Sequence, residues 1–317
     1  FDGAAAFAEA ALMAVRVFRG RRKKVIVSPM THPEYRQTLR TYTMVMDLNI
    51  TGDEDPINEL DDLKSLLDEN TACLIVQNPD FIGQLSSPKE LKDLADAVHR
   101  VRALFVVAID PISLGLFVPP GEYGADIVTG EGQSLGNAIS FGGPYLGIFA
   151  TRMKYVHHVP GRLFGETVDT EGRRGYVMTL SAREQHIRRE KATSNICTNE
   201  GLCALAAGAY LAAMGKTGLR QVAELCYHKA HYAAQQIAAI PGFELISGEP
   251  FFKEFAVRCP KPPAEINKKL LDYKIVGGYD LGKVYPHLKD CMLLCMTEMN
   301  TKEEIDRLVG VLKEVAS

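Results

Sequence analysis

Apolar runs of strand length alternate with amphipathic stretches through the first half of the chain. The runs predict strands at residues 24–28, 44–50, 72–77, 104–109 and 126–129. The stretches between them predict helices at residues 32–43, 60–70 and 87–101. Nearly continuous apolar strands separated by helices are typical of a mostly parallel sheet covered on both faces. This half is therefore predicted to be an α/β domain.

The last hundred or so residues have a different pattern. Helices are predicted at residues 200–214, 217–239 and 263–273, with a final helix capped by Thr301. Strands are predicted at residues 243–247, 252–259 and 291–297. This order favours a small α+β domain with antiparallel strands backed by helices. We predict a large domain over residues 1–210 and a small C-terminal domain over residues 211–317.

The composition of the chain argues against some classes of function. The chain has 317 residues, 46% of them hydrophobic, and a net charge of −3, which argues against a nucleic-acid binder. Interrupted apolar runs predict no membrane span. Seven cysteines without a CxxC pair suit reduced thiols and a cytoplasmic location. The chain opens FDGAAAF without a signal-peptide pattern, and we interpret it as lacking an N-terminal portion of a longer protein.

A glycine-rich loop over residues 130–143 follows the strand at 126–129, and Asp110 closes the preceding strand. This layout resembles pyridoxal-phosphate enzymes of the aspartate-aminotransferase-like class. In that class the Asp pairs with the pyridine nitrogen and a lysine on the second loop forms the Schiff base. Here no lysine occurs between Lys92 and Lys154, and Gln133 and Ser134 stand where one would be sought.

The start of the chain offers a second candidate feature. Asp2 and Gly3 precede an alanine-rich helix that runs to Val17. A helix N-terminus built from small residues is a natural seat for a phosphate group. A plain helix capped by Asp2 explains the same residues, and the two interpretations stay open.

A longer resemblance lies in residues 161–207, GRLFGETVDTEGRRGYVMTLSAREQHIRREKATSNICTNEGLCALAA. This run closely resembles the glycine decarboxylase (P-protein) family of the glycine cleavage system, in its subunit 1 form. The segments DPISLGLFVPPGEYGADIVTGEGQSLG and FGGPYLGIFATR resemble it too. The resemblance covers essentially the whole chain. It implies a fold type I large domain with a mostly parallel sheet, like the aspartate aminotransferases, and a small C-terminal α+β domain.

The resemblance also implies a division of labour. In that family subunit 2 carries the Schiff-base lysine, and subunit 1 is a degenerate relative in an α2β2 assembly. Glycine loses CO2 on the pyridoxal 5'-phosphate of subunit 2, and the aminomethyl group passes to the lipoyl arm of the H-protein. This chain would then complete the pocket, support the assembly or dock a partner. The resemblance implies no catalytic residue of its own and no metal site.

Candidate cofactor-binding residues follow from this resemblance. Thr193, with Ser194 and Asn195 beside it, resembles a loop that reaches across to the phosphate of a neighbouring subunit. A helix N-cap at Thr193 or Thr198 explains the same loop equally well. Asp110 resembles the pyridine-nitrogen Asp, although a hydrogen-bonded structural role is favoured.

Three further groups of residues complete the sequence predictions: the loop after the 126–129 strand, a pair of histidines and a basic cluster. Gln133 and Ser134 are further candidate cofactor-binding residues, because they stand where the loop lysine would be sought. With the loop glycines 130, 142 and 143, which permit close backbone approach, they are expected to shape a subunit interface. Paired histidines at 157 and 158 are interpreted as surface residues rather than ligands. A basic cluster is interpreted as a solvated helix face, with a phosphate or an acidic H-protein surface as the alternative partner; it comprises Arg183, Arg188, Arg189 and Lys191.

Two other functions remain open at this point. One is a free-standing pyridoxal-phosphate enzyme, an aminotransferase or lyase, with Lys154 or Lys191 as the nearest lysines available. Both lie outside the loop after the 126–129 strand, which makes them poor candidates. The other is a scaffold that only stabilises subunit 2.

Overall fold

The computed structural model describes residues 1–55, 59–192, 194, 196, 200–247 and 250–316. Six strands form one sheet in the order β2-β1-β3-β4-β5-β6; all pairs are parallel except β5 with β6. They are β1 (Lys24–Val27), β2 (Asn49–Thr51), β3 (Thr71–Gln77), β4 (Leu104–Ile109), β5 (Ile127–Glu131) and β6 (Gly147–Thr151). The carboxyl ends of β1 and β3–β5 therefore open on the same edge of the sheet.

Helices cover both faces of this sheet. They are α1 (Gly3–Val17), α2 (Pro33–Thr43), α3 (Leu60–Ser65) and α4 (Pro88–Arg100). The alanine-rich α1 packs Phe7 and Met13 onto one face. On the other face, α4 packs Leu91, Leu94 and Val98, each at most 1% exposed. Burial of each such side chain stabilises the fold by about 1.5–3 kcal/mol, so the amphipathic pattern of α4 accounts for its placement.

A protruding hairpin follows the sheet. Its strands are β7 (Leu163–Val168) and β8 (Arg174–Thr179), and the short α5 (Gln185–Arg188) comes after it. Phe164, Val168 and Tyr176 are each 64% exposed. A two-stranded hairpin with apolar side chains this exposed is marginal on its own in water.

The long helix α6 (Gly201–Ala238) leads into a second, antiparallel sheet with the order β11-β12-β10-β9. Its strands are β9 (Glu244–Leu245), β10 (Glu254–Arg258), β11 (Tyr279–Asp280) and β12 (Cys291–Cys295). Two helices, α7 (Pro263–Asp272) and α8 (Lys302–Ala316), pack with the second half of α6 around one apolar core. The predicted domain boundary between residues 210 and 211 falls within α6 and stays a prediction.

Within the described residues, α6 alone is long and apolar enough by composition to cross a membrane. Gly215, with φ 59° and ψ −173°, interrupts its helical backbone. At about 1.5 Å per residue, the segment before the break is roughly 20 Å long, shorter than the roughly 30 Å hydrocarbon core of a bilayer. The break agrees with the sequence prediction of two helices that meet near this glycine.

Several predicted elements are wrong or shorter. Residues 44–48 are not a strand: Met44 and Val45 are 77% and 89% exposed, and β2 begins only at Asn49. The helix face to which the basic cluster at residues 183–191 was assigned is not one continuous helix: the chain forms a 3-10 turn at Ser181–Arg183 and then the four-residue α5. The apolar residues at 44–46 had predicted a buried strand, but in the described part of the chain they are left exposed. The helix predicted at 60–70 ends at Ser65.

Candidate functional site

A cleft lies where the carboxyl ends of β3, β4 and β5 meet the strand region of the small domain. Its volume is 190 Å3, below the roughly 300–1,000 Å3 of pockets for drug-sized ligands. Its polar lining comprises His32, Tyr35, Gln77, Asp110, Glu131, Gln133, Ser134, Lys253 and Glu254. The sequence prediction that Asp110 and the loop after β5 share one site is thus matched by their position.

Asp110 follows β4 and caps the 3-10 turn Pro111–Gly115. Its Oδ1 accepts the backbone N–H of Ile112 at 2.9 Å, and its Oδ2 lies 2.5 Å from Nζ of Lys253. Both side chains are less than one-fifth exposed. The carboxylate is therefore held by its own chain, through an ammonium group and a backbone N–H group. Its predicted part in cofactor binding stays a prediction.

Lys253 is the residue that sequence reasoning missed. It lies just before β10, far along the chain from the loop in which a lysine was sought. Burial alone would lower the pKa of its ammonium group, but the carboxylates of Asp110 and Glu254 outweigh burial and the pKa is raised. A permanently protonated amine is not a nucleophile. The cleft thus contains an amine from outside the loop in which a lysine was sought, and the neighbouring carboxylates favour its protonated form.

Glu254, the next residue, contributes a second buried carboxyl group. Burial raises its pKa to about 7, with Lys253 opposing the rise and Asp110 adding to it. Asp80, which is not among the residues that line the cleft, shows a similar rise of its pKa to about 7, which burial causes and hydrogen bonds from the backbone of Gln84 and Ile82 oppose. Perturbed carboxyls in a cleft are typical of functional sites, although buried ionic networks perturb pKa values equally.

Gln133 and Ser134 line the cleft as predicted, in the loop after β5. The Nε2 of Gln133 donates to the carbonyl oxygen of Asn137 at 2.6 Å. This bond ties the amide to its own loop. The side chain that replaces the expected lysine therefore has a structural partner.

Glu131, at the end of β5, occupies the start of α1. Its Oε2 accepts the backbone N–H of Gly3 at 2.8 Å, and its Oε1 accepts the N–H groups of Gln133 at 2.9 Å and Leu146 at 3.2 Å. Asp2 also caps this helix, since its Oδ1 accepts the N–H of Ala5 at 2.7 Å. The seat that the sequence offered for a phosphate is filled by the protein's own carboxylates.

The predicted interface loop is only partly described. Thr193, Asn195 and Thr198 lie outside the described residues. The hydroxyl of Ser194 donates to Oε1 of Glu9 on α1 at 2.8 Å, and Arg16 pairs with the same carboxylate at 3.3 Å. Ser194 is therefore bound to its own large domain.

The predicted basic cluster separates in the structure. Arg183 is only 10% exposed and donates to the backbone carbonyls of Val159 and Gly161, so it does not belong to a solvated face. Arg188, Arg189 and Lys191 are exposed. His157 and His158 lie in the 3-10 turn Met153–His158. Among the described residues, no three His, Cys, Asp or Glu side chains form a group suited to a metal ion.

Comparison with solved structures identifies the fold. A solved NifS-like protein superposes with a TM-score of 0.69 over 99% of this chain and 80% of that chain at 15% identity, which shows the fold alone. The fold is that of the fold type I class of pyridoxal-phosphate enzymes, as predicted. The crystal structure of an inhibitor-bound glycine decarboxylase (P-protein) superposes with a TM-score of 0.91 at 42% identity, covering 99% of this chain and 70% of that one.

The sequence comparisons then give the family. The model of the glycine cleavage system P-protein matches residues 1–312. A "probable glycine dehydrogenase (decarboxylating) subunit 1" from Thermomicrobium roseum is 56% identical over 100% of this chain and 70% of its own length. The chain belongs to the glycine cleavage system P-protein family, which confirms the resemblance read from residues 161–207.

The cofactor of this fold class does not fit the cleft of this chain. A phosphate group about 4 Å from a carboxylate would be repelled by about 4 kcal/mol per charge pair at an effective dielectric constant of 20. Glu131 and Asp2 hold that position at the start of α1. The ammonium group of Lys253 forms an ion pair with the carboxylate of Asp110, and the loop after β5 contains no lysine. Two requirements for the cofactor, an open phosphate seat and a loop lysine, thus fail, and the carboxylate of Asp110 already has a partner within the chain.

Proposed function

We propose that this chain is subunit 1 of a two-chain glycine dehydrogenase (decarboxylating). It works with a subunit 2 that binds pyridoxal 5'-phosphate through the Schiff-base lysine, in an α2β2 assembly. The pair decarboxylates glycine and transfers the aminomethyl group to the lipoyl arm of the H-protein. The cofactor supplies the electron sink for loss of CO2, and this chain contributes no covalent step.

The cleft is the observation that carries this proposal. A fold type I pocket is present, but its lysine is replaced by Gln133 and its carboxylate is paired with Lys253. An autonomous enzyme needs a neutral amine beside the cofactor. Lys154 lies instead 3.5 Å from Asp126, at the opposite end of β5. The division of labour between two chains accounts for all of these features.

Exposed apolar side chains support a partner at one face of the chain. Phe164 of the β7–β8 hairpin and the start of α6, at Gly201 and Ala204, line one groove. On the same part of α6, Leu202 and Leu205 are 78% and 69% exposed. Clustered exposed apolar side chains often mark a protein–protein contact. We propose that this face binds subunit 2.

We propose that Thr193, Ser194 and Asn195 lie near the cofactor phosphate of subunit 2 across this interface. Thr193→Ala is then expected to weaken cofactor retention or glycine–CO2 exchange in the two-chain complex. Unchanged exchange and cofactor content would leave a scaffold role. The exposed arginines at 188 and 189 are proposed as a contact for the H-protein, and the free thiols suit a cytoplasmic location.

The direct experiment is co-expression with subunit 2, followed by glycine–14CO2 exchange assays of each chain alone and of the complex. We expect co-purification and exchange only when both chains are present. Subunit 2 alone at the same concentration is the matched control. Exchange by this chain in isolation would contradict the proposal.

A further inference from the structure

The start of α1 is occupied by a residue from a distant part of the fold. Glu131 is separated from Gly3 by 128 positions in sequence, yet its two carboxylate oxygens accept three backbone N–H groups from three different segments. A protein anion held by several convergent amides resembles a bound ligand more than an ordinary helix cap, which involves neighbouring residues.

We propose that Glu131 is a built-in anion that keeps the cleft of this chain closed to anionic cofactors. This proposal rests on the proposed function, in which the cofactor is bound by the other subunit. Its carboxylate takes the hydrogen bonds that a phosphate would otherwise receive at this helix N-terminus. With Glu131 in place, a phosphorylated ligand meets negative charge where a fold of this class otherwise provides amide donors.

Neighbouring groups support the same conclusion independently. A Cβ added to Gly3 would lie 2.3 Å from the hydroxyl of Tyr35, so the helix start, the tyrosine and Glu131 fit closely together. Gln133 is tied to Asn137, and Asp110 is paired with Lys253. Asp110, Glu131 and Gln133 thus each have a partner within the chain, as expected of a site that the protein fills with its own groups.

One carboxylate should therefore control whether the cleft accepts an anion. Glu131→Gly removes the charge and the side chain, which leaves three amides free to bind phosphate. Glu131→Gln removes the charge but still fills the space, and its amide hydrogens face other donors. We expect phosphate affinity to increase in the order wild type, Glu131→Gln, Glu131→Gly.

The experiment measures thermal unfolding of the purified chain with and without inorganic phosphate, and equilibrium titration with pyridoxal 5'-phosphate. At phosphate tenfold above its dissociation constant, the unfolding equilibrium of Glu131→Gly should shift roughly tenfold toward the folded state. The wild type should show no phosphate-specific shift beyond that of chloride at equal ionic strength. Glu34→Gln, which removes an exposed carboxylate from the start of α2, is the matched control and should behave like the wild type.

Two results would overturn the inference: equal phosphate stabilisation of wild type and Glu131→Gly, or the same gain in Glu34→Gln. If Glu131→Gly does not fold, Glu131→Gln decides, because loss of charge alone should produce a measurable gain. Exchange activity of the wild-type two-chain complex is a separate measurement. Its absence would refute the proposed function without changing the phosphate result on this chain.

Discussion

Replacing Lys253 with methionine tests the ion pair that joins the two halves of the chain. Methionine keeps most of the aliphatic stem but removes the ammonium group from Asp110, 2.5 Å away, and from the adjoining buried Glu254. Breaking a buried ion pair by removal of one partner costs about 3–5 kcal/mol. Asp110 is 18% exposed and keeps the N–H of Ile112, so we expect a smaller loss, of about 2–3 kcal/mol at pH 7.

The assay is urea unfolding of the purified chain, with the double variant Lys253→Met/Asp110→Asn as the control. Because both charges of the pair are then absent, most of the lost stability should return. A Lys253→Met variant as stable as the wild type would show that the pair contributes nothing to holding the small domain. A double variant no better than the single one would refute coupling between these two side chains.

Three further predictions follow from the structure. Glu254→Gln should stabilise the chain above pH 7 by up to about 3 kcal/mol. The pKa of Glu254 rises from 4.5 to about 7 on folding, so the stability of the wild type falls as the pH increases across that interval. Urea unfolding at pH 4.5 and pH 8 checks whether the gain vanishes at the lower pH. Gly130→Ala should cost about 1–3 kcal/mol, measured by the same unfolding assay, because its Cβ would lie 2.7 Å from the carbonyl oxygen of Ile109. Phe164→Asp should weaken co-purification with subunit 2, whereas Val276→Asp, an equally apolar and 88% exposed position in the small domain, should not.

The central sheet could be predicted from sequence because its strands bury both faces. Residues of β3 and β4 are apolar almost without interruption, and their burial matches that pattern. The β7–β8 hairpin carries no such signal: its sequences LFGETV and RGYVMT follow neither an alternating nor a continuous apolar pattern, and no residue of either strand is fully buried. A segment that this chain does not bury leaves no burial pattern in the sequence from which it could be recognised.

Some residues of the candidate site could be predicted from the sequence and others could not. Asp110 and the loop after β5 could be predicted, because the carboxyl ends of neighbouring parallel strands meet at one edge of the sheet. Lys253 could not, since the small domain folds it back from a distant position with no local motif. Glu131 could not either, because nothing in the run GEGQ indicates that its carboxylate meets the start of a helix 128 positions earlier in the chain.

The division of labour between two chains is tested most directly by locating the cofactor. The reconstituted complex is reduced with borohydride, digested and examined by mass spectrometry for pyridoxyl-lysine. Our account predicts one label for each pair of chains, on a lysine of subunit 2. A label on Lys253 or on any other lysine of this chain, at comparable stoichiometry, would contradict it.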